Sequence, residues 1–271
     1  MSEPEWMKNR GIHGGWPHPK PQHPADLNRL VIDNETSVGL PLPQVRRNLP
    51  SVSSDVEVVF VGLVERLIKE IERWPVVIGC TAWLTETRVL NALAAKKMVS
   101  LLVQKEDFLR PDDGQTAAEA YNLTLKLYAR LPVRGRHYDC PGISDVSGLS
   151  VASDDTLAPI RCVGVRPDDP KSRNHPRMHH KFMVFCDLGY EKIEDGPDGE
   201  IGGYERLIPK VVWTGSFNPT TNGSRSLENA VIINSPEIAE AYAREHAILL
   251  AVSEPLNWSE RYVAPEYRIG T

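Results

Sequence analysis

The sequence predicts an α/β fold: a mixed, largely parallel central sheet flanked by helices on both faces. Two observations carry this. Residues 76–104 read as strand, helix, strand with short connections, which is a βαβ unit and implies a parallel pairing. Four further β-like runs follow in the C-terminal half, and a capped helix closes them. The chain has 271 residues, enough for one large domain or two small ones. A hydrophobic content of 41% and a charged content of 25% fit an ordinary soluble globular protein. No apolar run approaches the roughly 20 residues of a membrane span, and the start, MSEPEWMKNR, lacks the apolar stretch of a secretory signal. A cytoplasmic protein without a membrane partner is expected. Cys80, Cys140, Cys162 and Cys186 are scattered without paired spacing, as reduced thiols are rather than a disulfide framework.

The elements follow in order. Residues 1–50 are rich in Pro and His and read as an irregular N-terminal arm, with Trp16, Val31, Ile32 and Leu40 available for burial. Ser54 and Glu57 have capping-box spacing. Val56, Val59, Phe60, Leu63, Leu67, Ile68 and Ile71 then repeat at helical spacing, and Pro75 ends the helix. VVIGC (76–80) is a strand, Thr85 to Lys97 a helix, and MVSLLVQ (98–104) a strand. Thr116 with Glu119 opens another helix that runs to about Leu131, and 132–157 is loop. IRCVGV (160–165), MHHKFMVFC (178–186), KVVWTG (210–215) and ENAVIIN (228–234) are strands. Ser235-Pro236 is an N-cap with a proline at N1, starting a helix to about Ala251. The domain plan is therefore an arm (1–50), a main α/β domain (51–255) carrying an acidic hairpin insertion (187–209), and a C-terminal tail (256–271). No internal repeat is visible.

Two segments carry chemistry. On a strand over 178–186, side chains alternate faces, so His179 and Lys181 stand side by side and His180 and Cys186 face the other way. The second segment, WTGSFN, ends a strand at Gly215, where the backbone can approach a ligand. It then presents Ser216 and Asn218. Glu228 opens the next strand. A nucleophile, a cation, uncharged donors and a carboxylate form a phosphoryl-transfer set. A neutral histidine attacks phosphorus, lysine and asparagine hold the non-bridging oxygens, and glutamate fixes the histidine tautomer. Side chains supply the positive charge, so no metal and no cofactor are expected.

His179-x-Lys181, Gly215-Ser216-x-Asn218 and Glu228-Asn229, in this order and each at a strand end, resemble the phospholipase D superfamily of HKD-motif phosphodiesterases. The likeness is to its single-motif nuclease branch and covers roughly residues 55–250. It implies a phospholipase D-like half-fold and a metal-independent endonuclease acting on DNA or RNA. His179 would form a covalent phosphohistidine. A second histidine, from another subunit of a homodimer that shares the site, would protonate the leaving oxygen. Lys181 and Asn218 would bind phosphate, Ser216 would line the site and Glu228 would orient His179. The family has Asp where this chain has Cys186; Asp187 lies one residue further on, so a strand bulge realigns it or the Asp role is dispensable or lost. The alternatives are a phospholipid phosphodiesterase of the same superfamily and a catalytically degenerate phosphate-binding scaffold.

Other residues have two readings each. Gly215, Arg225, Arg177, His175 and Trp83 are candidate substrate contacts: Trp83 stacks a base or packs the core, Arg225 reaches a phosphate or lies on the surface, and His175 touches substrate or is a solvated loop residue. His180 is expected to pack or cap. His137-x-x-Cys140 with Cys162 or Cys186 is an incomplete zinc pattern.

The net charge of −5 seems at first to disfavour a nucleic-acid partner. Residues 187–209 hold seven acids against two bases, so that one segment accounts for the whole −5. Residues 161–181 hold six bases against two acids and lead into His179. The approach to the site is basic, and an acidic insertion is placed to compete with a polyanion for it. Deleting residues 190–206 should raise nucleic-acid affinity or activity at low salt. Unchanged binding across a salt titration would discard that competition.

Overall fold

The computed structural model describes residues 27–29, 31–32, 40–41, 48, 55–106, 119–132, 158–166, 176–193, 202–256 and 260–262. In the arm, β1 (Val31–Ile32) pairs antiparallel with β2 (Leu40–Pro41), so this stretch, expected to be irregular, contains a small sheet. The main sheet has β3 (Val56–Val59), β4 (Val76–Thr81), β5 (Met98–Gln104), β6 (Ile160–Val163), β7 (Lys181–Ile193), β8 (Gly202–Gly215), β9 (Ala230–Ile233) and β10 (Glu254–Pro255). Their spatial order is β10-β6-β5-β4-β7-β8-β9-β3. β4–β5 and β5–β6 are parallel, and the remaining neighbours are antiparallel.

Every side chain of β4 is buried, as a strand covered on both faces requires. Helices α1 (Leu63–Arg73), α2 (Thr87–Ala94) and α3 (Glu119–Tyr128) share one core layer with Phe185, Trp213 and Phe217. Helix α4 (Pro236–Ala251) covers the other face. Its Ala239, Ala243 and Ala247 recur every fourth residue, which puts methyl groups in one row against Val76, Ile78 and Val184. Ser235 caps α4 by accepting from Ile238 N, as the Ser-Pro start predicts.

Several elements differ from the sequence expectation. Residues 56–59 are not the first turn of a helix but an edge strand, paired with β9 from Val56↔Ile233 to Val59↔Ala230. Their branched side chains suit the sheet, and the pairing overrides the helical spacing. Glu57 accepts from Arg66 at 2.7 Å instead of closing a capping box, and Ser54 lies outside the described residues. Gly62, at φ +67, turns the chain into α1. Helix α2 starts at Thr87 because the Thr85 and Glu86 amides donate to Pro219 O at 2.8 and 2.9 Å. Its end at Ala94 and the end of α3 at Tyr128 also come earlier than expected; Thr116 lies outside the described residues.

The motif strand begins at Lys181, not Met178. Its partner β4 ends at Thr81, opposite Lys181, so residues 178–180 have no ladder to join. In the other direction the β7–β8 ladder runs on to Ile193↔Gly202. The acidic insertion is thus the outer part of a two-stranded ribbon. A bulge falls at Lys210 of β8, between the pairs Phe185↔Val211 and Cys186↔Pro209. Cys186 is fully buried and Asp187 is exposed.

Fully buried His246 of α4 lies 3.3 Å from Ser100 Oγ. Burial pushes its imidazole down to about 3, against the opposing hydrogen bond to Ser100. Below the ordinary imidazole value of about 6.5 the unfolded chain binds a proton that the fold refuses, so this residue makes stability fall with pH. The expected slope is about 1 kcal/mol per unit between roughly pH 6 and 4. His246→Leu should flatten it, read as the urea midpoint at pH 7 against pH 5.

Candidate active site

The site forms where β7 begins, β8 ends and β9 begins. His179 sits in the extended lead-in to β7 and Lys181 is its first residue. Lys181 Nζ lies 3.1 Å from His179 Nδ1 and donates to His179 O at 3.0 Å. Thr214 Oγ1 donates to Lys181 O at 3.2 Å, which ties this corner to β8.

The turn after β8 is fastened to the next motif segment. Ser216 N and Phe217 N donate to Asn229 O at 3.1 and 3.3 Å. Ser216 Oγ accepts from Asn229 N at 3.1 Å and donates to the Glu228 carboxylate. A Cβ on Gly215 would lie 2.4 Å from Asn229 O, so only glycine allows these backbones to meet. Asn218 Oδ1 accepts from Thr81 Oγ1 at 3.4 Å. Since Thr81 is the ladder partner of Lys181, this hydroxyl brings the Asn218 amide to the same sheet end. Thr81 was not among the residues expected at the site. Its signal is a hydroxyl at the end of an otherwise apolar strand.

The electrostatics favour a neutral imidazole. Loss of solvent around the His179 ring, then the cations Lys181 and Arg177, hold it below the ordinary histidine range. Burial also lowers Lys181, while the Glu228 carboxylate raises it. Trp83 meets the His179 ring edge-on, with centroids 5.8 Å apart and planes at 80°. His180 points away, 3.5 Å from Glu245 of α4 and edge-on to Phe182. Arg225 ends a short 3-10 turn and lines a cavity of about 420 Å³ with Gly62, Glu65, Arg88 and Thr221. His175, His137 and Cys140 lie outside the described residues. Cys162 and Cys186 belong to the opposite core layers. Among the described residues, no group of three His, Cys, Asp or Glu is placed to hold a metal ion, and no helix is long and apolar enough to cross a membrane.

Removing one cation should release part of the pressure on the imidazole. Arg177→Gln is expected to raise the His179 pKa by a few tenths to about one unit. The check is an NMR pH titration of labelled histidine, in which the wild-type ring titrates below the ordinary range.

No family model matches this sequence. Uncharacterized protein L381 of Acanthamoeba polyphaga mimivirus is 30% identical over 209 residues, 73% of this chain and 66% of that protein. The chain therefore spans just under two thirds of that relative's length. Among solved structures, Nuc from Salmonella typhimurium, a phospholipase D family member, has a TM-score of 0.41 at 14% identity, over 75% of this chain and 98% of its own. NucT from Helicobacter pylori has a TM-score of 0.44 at 10% identity, over 74% and 98%. In this chain His179-x-Lys181 heads β7, the Gly215–Asn218 turn closes β8 and Glu228-Asn229 leads into β9.

Proposed function

We propose that this protein is a metal-independent phosphodiesterase, an endonuclease that cleaves DNA or RNA through a covalent phosphohistidine on His179 in a homodimeric site. The observation that supports it is the meeting of an imidazole and an ammonium 3.1 Å apart, beside the Asn218 amide and the Ser216–Glu228 pair. The basic run that leads into His179 supports a polyanionic substrate.

A charged lysine can only donate, so in the free protein its ammonium occupies the Nδ1 lone pair. An arriving phosphate competes for that ammonium. Lys181 and Asn218 then hold the non-bridging oxygens, and the imidazole lone pair is free to attack. A phosphorus–nitrogen bond forms, the phosphorus–oxygen bond to the leaving group breaks, and the leaving oxygen takes a proton from the partner subunit's His179. That second imidazole, now neutral, accepts a proton from water. The water oxygen bonds to phosphorus and releases His179. One imidazole must start neutral and the other charged, so the pair titrates as a unit. Glu228 restrains Ser216 and steadies the Lys181 charge, and Trp83 flanks the ring.

The test is cleavage of single-stranded DNA, duplex DNA, RNA and phospholipid in EDTA by wild type and His179→Ala. Wild type should cut nucleic acid, and the variant should lose about four or more orders of magnitude. Full cleavage by the variant, or a strict need for divalent metal, would overturn the mechanism. Headgroup release without nucleic-acid cleavage would reassign the substrate. Phosphate binding with no cleavage of any substrate would make the protein a scaffold.

A further inference from the structure

Three chain segments around the site converge on one buried glutamine, two of them on its carboxamide and one on its backbone N–H. Gln104 ends β5 and is fully buried. Its Oε1 accepts from Met178 N at 2.7 Å. Its Nε2 donates to Lys105 O at 3.1 Å and Val165 O at 3.0 Å, and its backbone N donates to Ala82 O at 3.1 Å. Met178 directly precedes His179, and Ala82 directly precedes Trp83. The two rings that meet edge-on are therefore each one residue from a hydrogen bond to Gln104.

The chemistry selects this side chain. The position needs one acceptor and two donors at the end of a two-methylene stem, which among side chains is the glutamine amide. A glutamate keeps the acceptor for Met178 N but turns an oxygen towards two carbonyls. A methionine keeps the length and the backbone bond to Ala82 O but loses all three side-chain bonds. The opposing loop is shaped to the amide as well: Gly164 has φ +106, and a Cβ there would lie 2.4 Å from Gln104 Oε1. Residues 178–180 have no strand partner, so this bond fixes the backbone of the lead-in where the ladder does not.

We propose that Gln104 is a positioning residue that aims the His179 imidazole by setting the spacing between the Met178–His179 and Ala82–Trp83 backbones. This rests on the assignment of His179 as the nucleophile. Gln104 does not reach substrate; it acts through the lead-in.

The experiment compares wild type, Gln104→Met and Gln104→Glu by two measurements: nucleic-acid turnover per folded molecule, and the through-space NMR contact between the Trp83 and His179 rings. Gln104→Met should lower kcat about 10- to 100-fold, the range expected for a misaimed nucleophile, change KM less than about threefold, and lose the ring contact. Gln104→Glu should fall between the two. Unchanged kcat per folded molecule with the contact kept would overturn the proposal, and so would failure of both variants to fold, which would make the amide purely structural. If wild type cleaves nothing, the nuclease assignment fails by itself, and the ring contact alone decides for or against Gln104.

Discussion

The antiparallel ladder between β4 and β7 is the constraint on which the site depends. Its last pair is Thr81↔Lys181. Up to that point β7 is held by β4 on one side and β8 on the other, and the close approach is possible because Gly79 has no Cβ to strike Phe182 O. Beyond it the chain leaves the sheet and its backbone groups need other partners. Lys181 is therefore rigid, since it stands in the ladder, whereas His179 is held by side-chain bonds and ring contact. That division would suit the proposed roles, a nucleophile that moves onto phosphorus and off again beside a cation that stays fixed.

The same corner sets two charges against each other. Neutral His179 is favoured first by burial and then by the nearby cations, while the Glu228 carboxylate favours charged Lys181. For Lys181 burial outweighs the carboxylate and the net shift is downward, so Glu228 offsets only part of the cost of keeping the ammonium charged. Both groups lose some solvent, and for both this favours the neutral form. Only Lys181 has a carboxylate opposing it. The Glu228 carboxylate is in turn fixed by Ser216, which is fixed by the Asn229 backbone. The polar half of the site is thus a chain of hydrogen bonds from Asn229 through Ser216 to Glu228, whose charge acts on Lys181 of β7.

What the sequence made legible, and what it did not, follows from where the information lies. β4, β5 and α4 were readable because their local signals agree with their tertiary roles: a continuous apolar run, a βαβ spacing, a Ser-Pro start. The candidate site residues stood out because phosphoryl-transfer chemistry would restrict such positions to few residue types. Residues 56–59 were misread because valine at helical spacing is also valine on an edge strand, and the deciding partner, β9, lies more than 170 residues away. The start of β7 was misplaced for a similar reason: local composition is β-like from Met178, but the neighbour ends at Thr81. Thr81 and Gln104 gave little signal because each is one polar residue at the end of an apolar strand.

Cys186, where the resemblance read from the sequence implies an Asp, can be weighed on geometry. It lies five residues beyond Lys181, about 16 Å along an extended strand. Odd spacing turns it to the opposite face, and it is buried with Val76, Val184 and Leu207 in the layer under α4. Lys181 faces the other way, towards the layer of Met183 and Phe185. A side chain at 186 therefore cannot touch a phosphate held by Lys181 and Asn218. A carboxylate there would bring a charge into an apolar layer and need a partner to offset its desolvation, whereas a thiol fits as a small apolar group. The bulge at Lys210 adjusts β8 across from this position and leaves Asp187 on the outside. Cys186 bears on how the β7–β8 ribbon leaves the core, at a distance from the candidate site at the head of the strand.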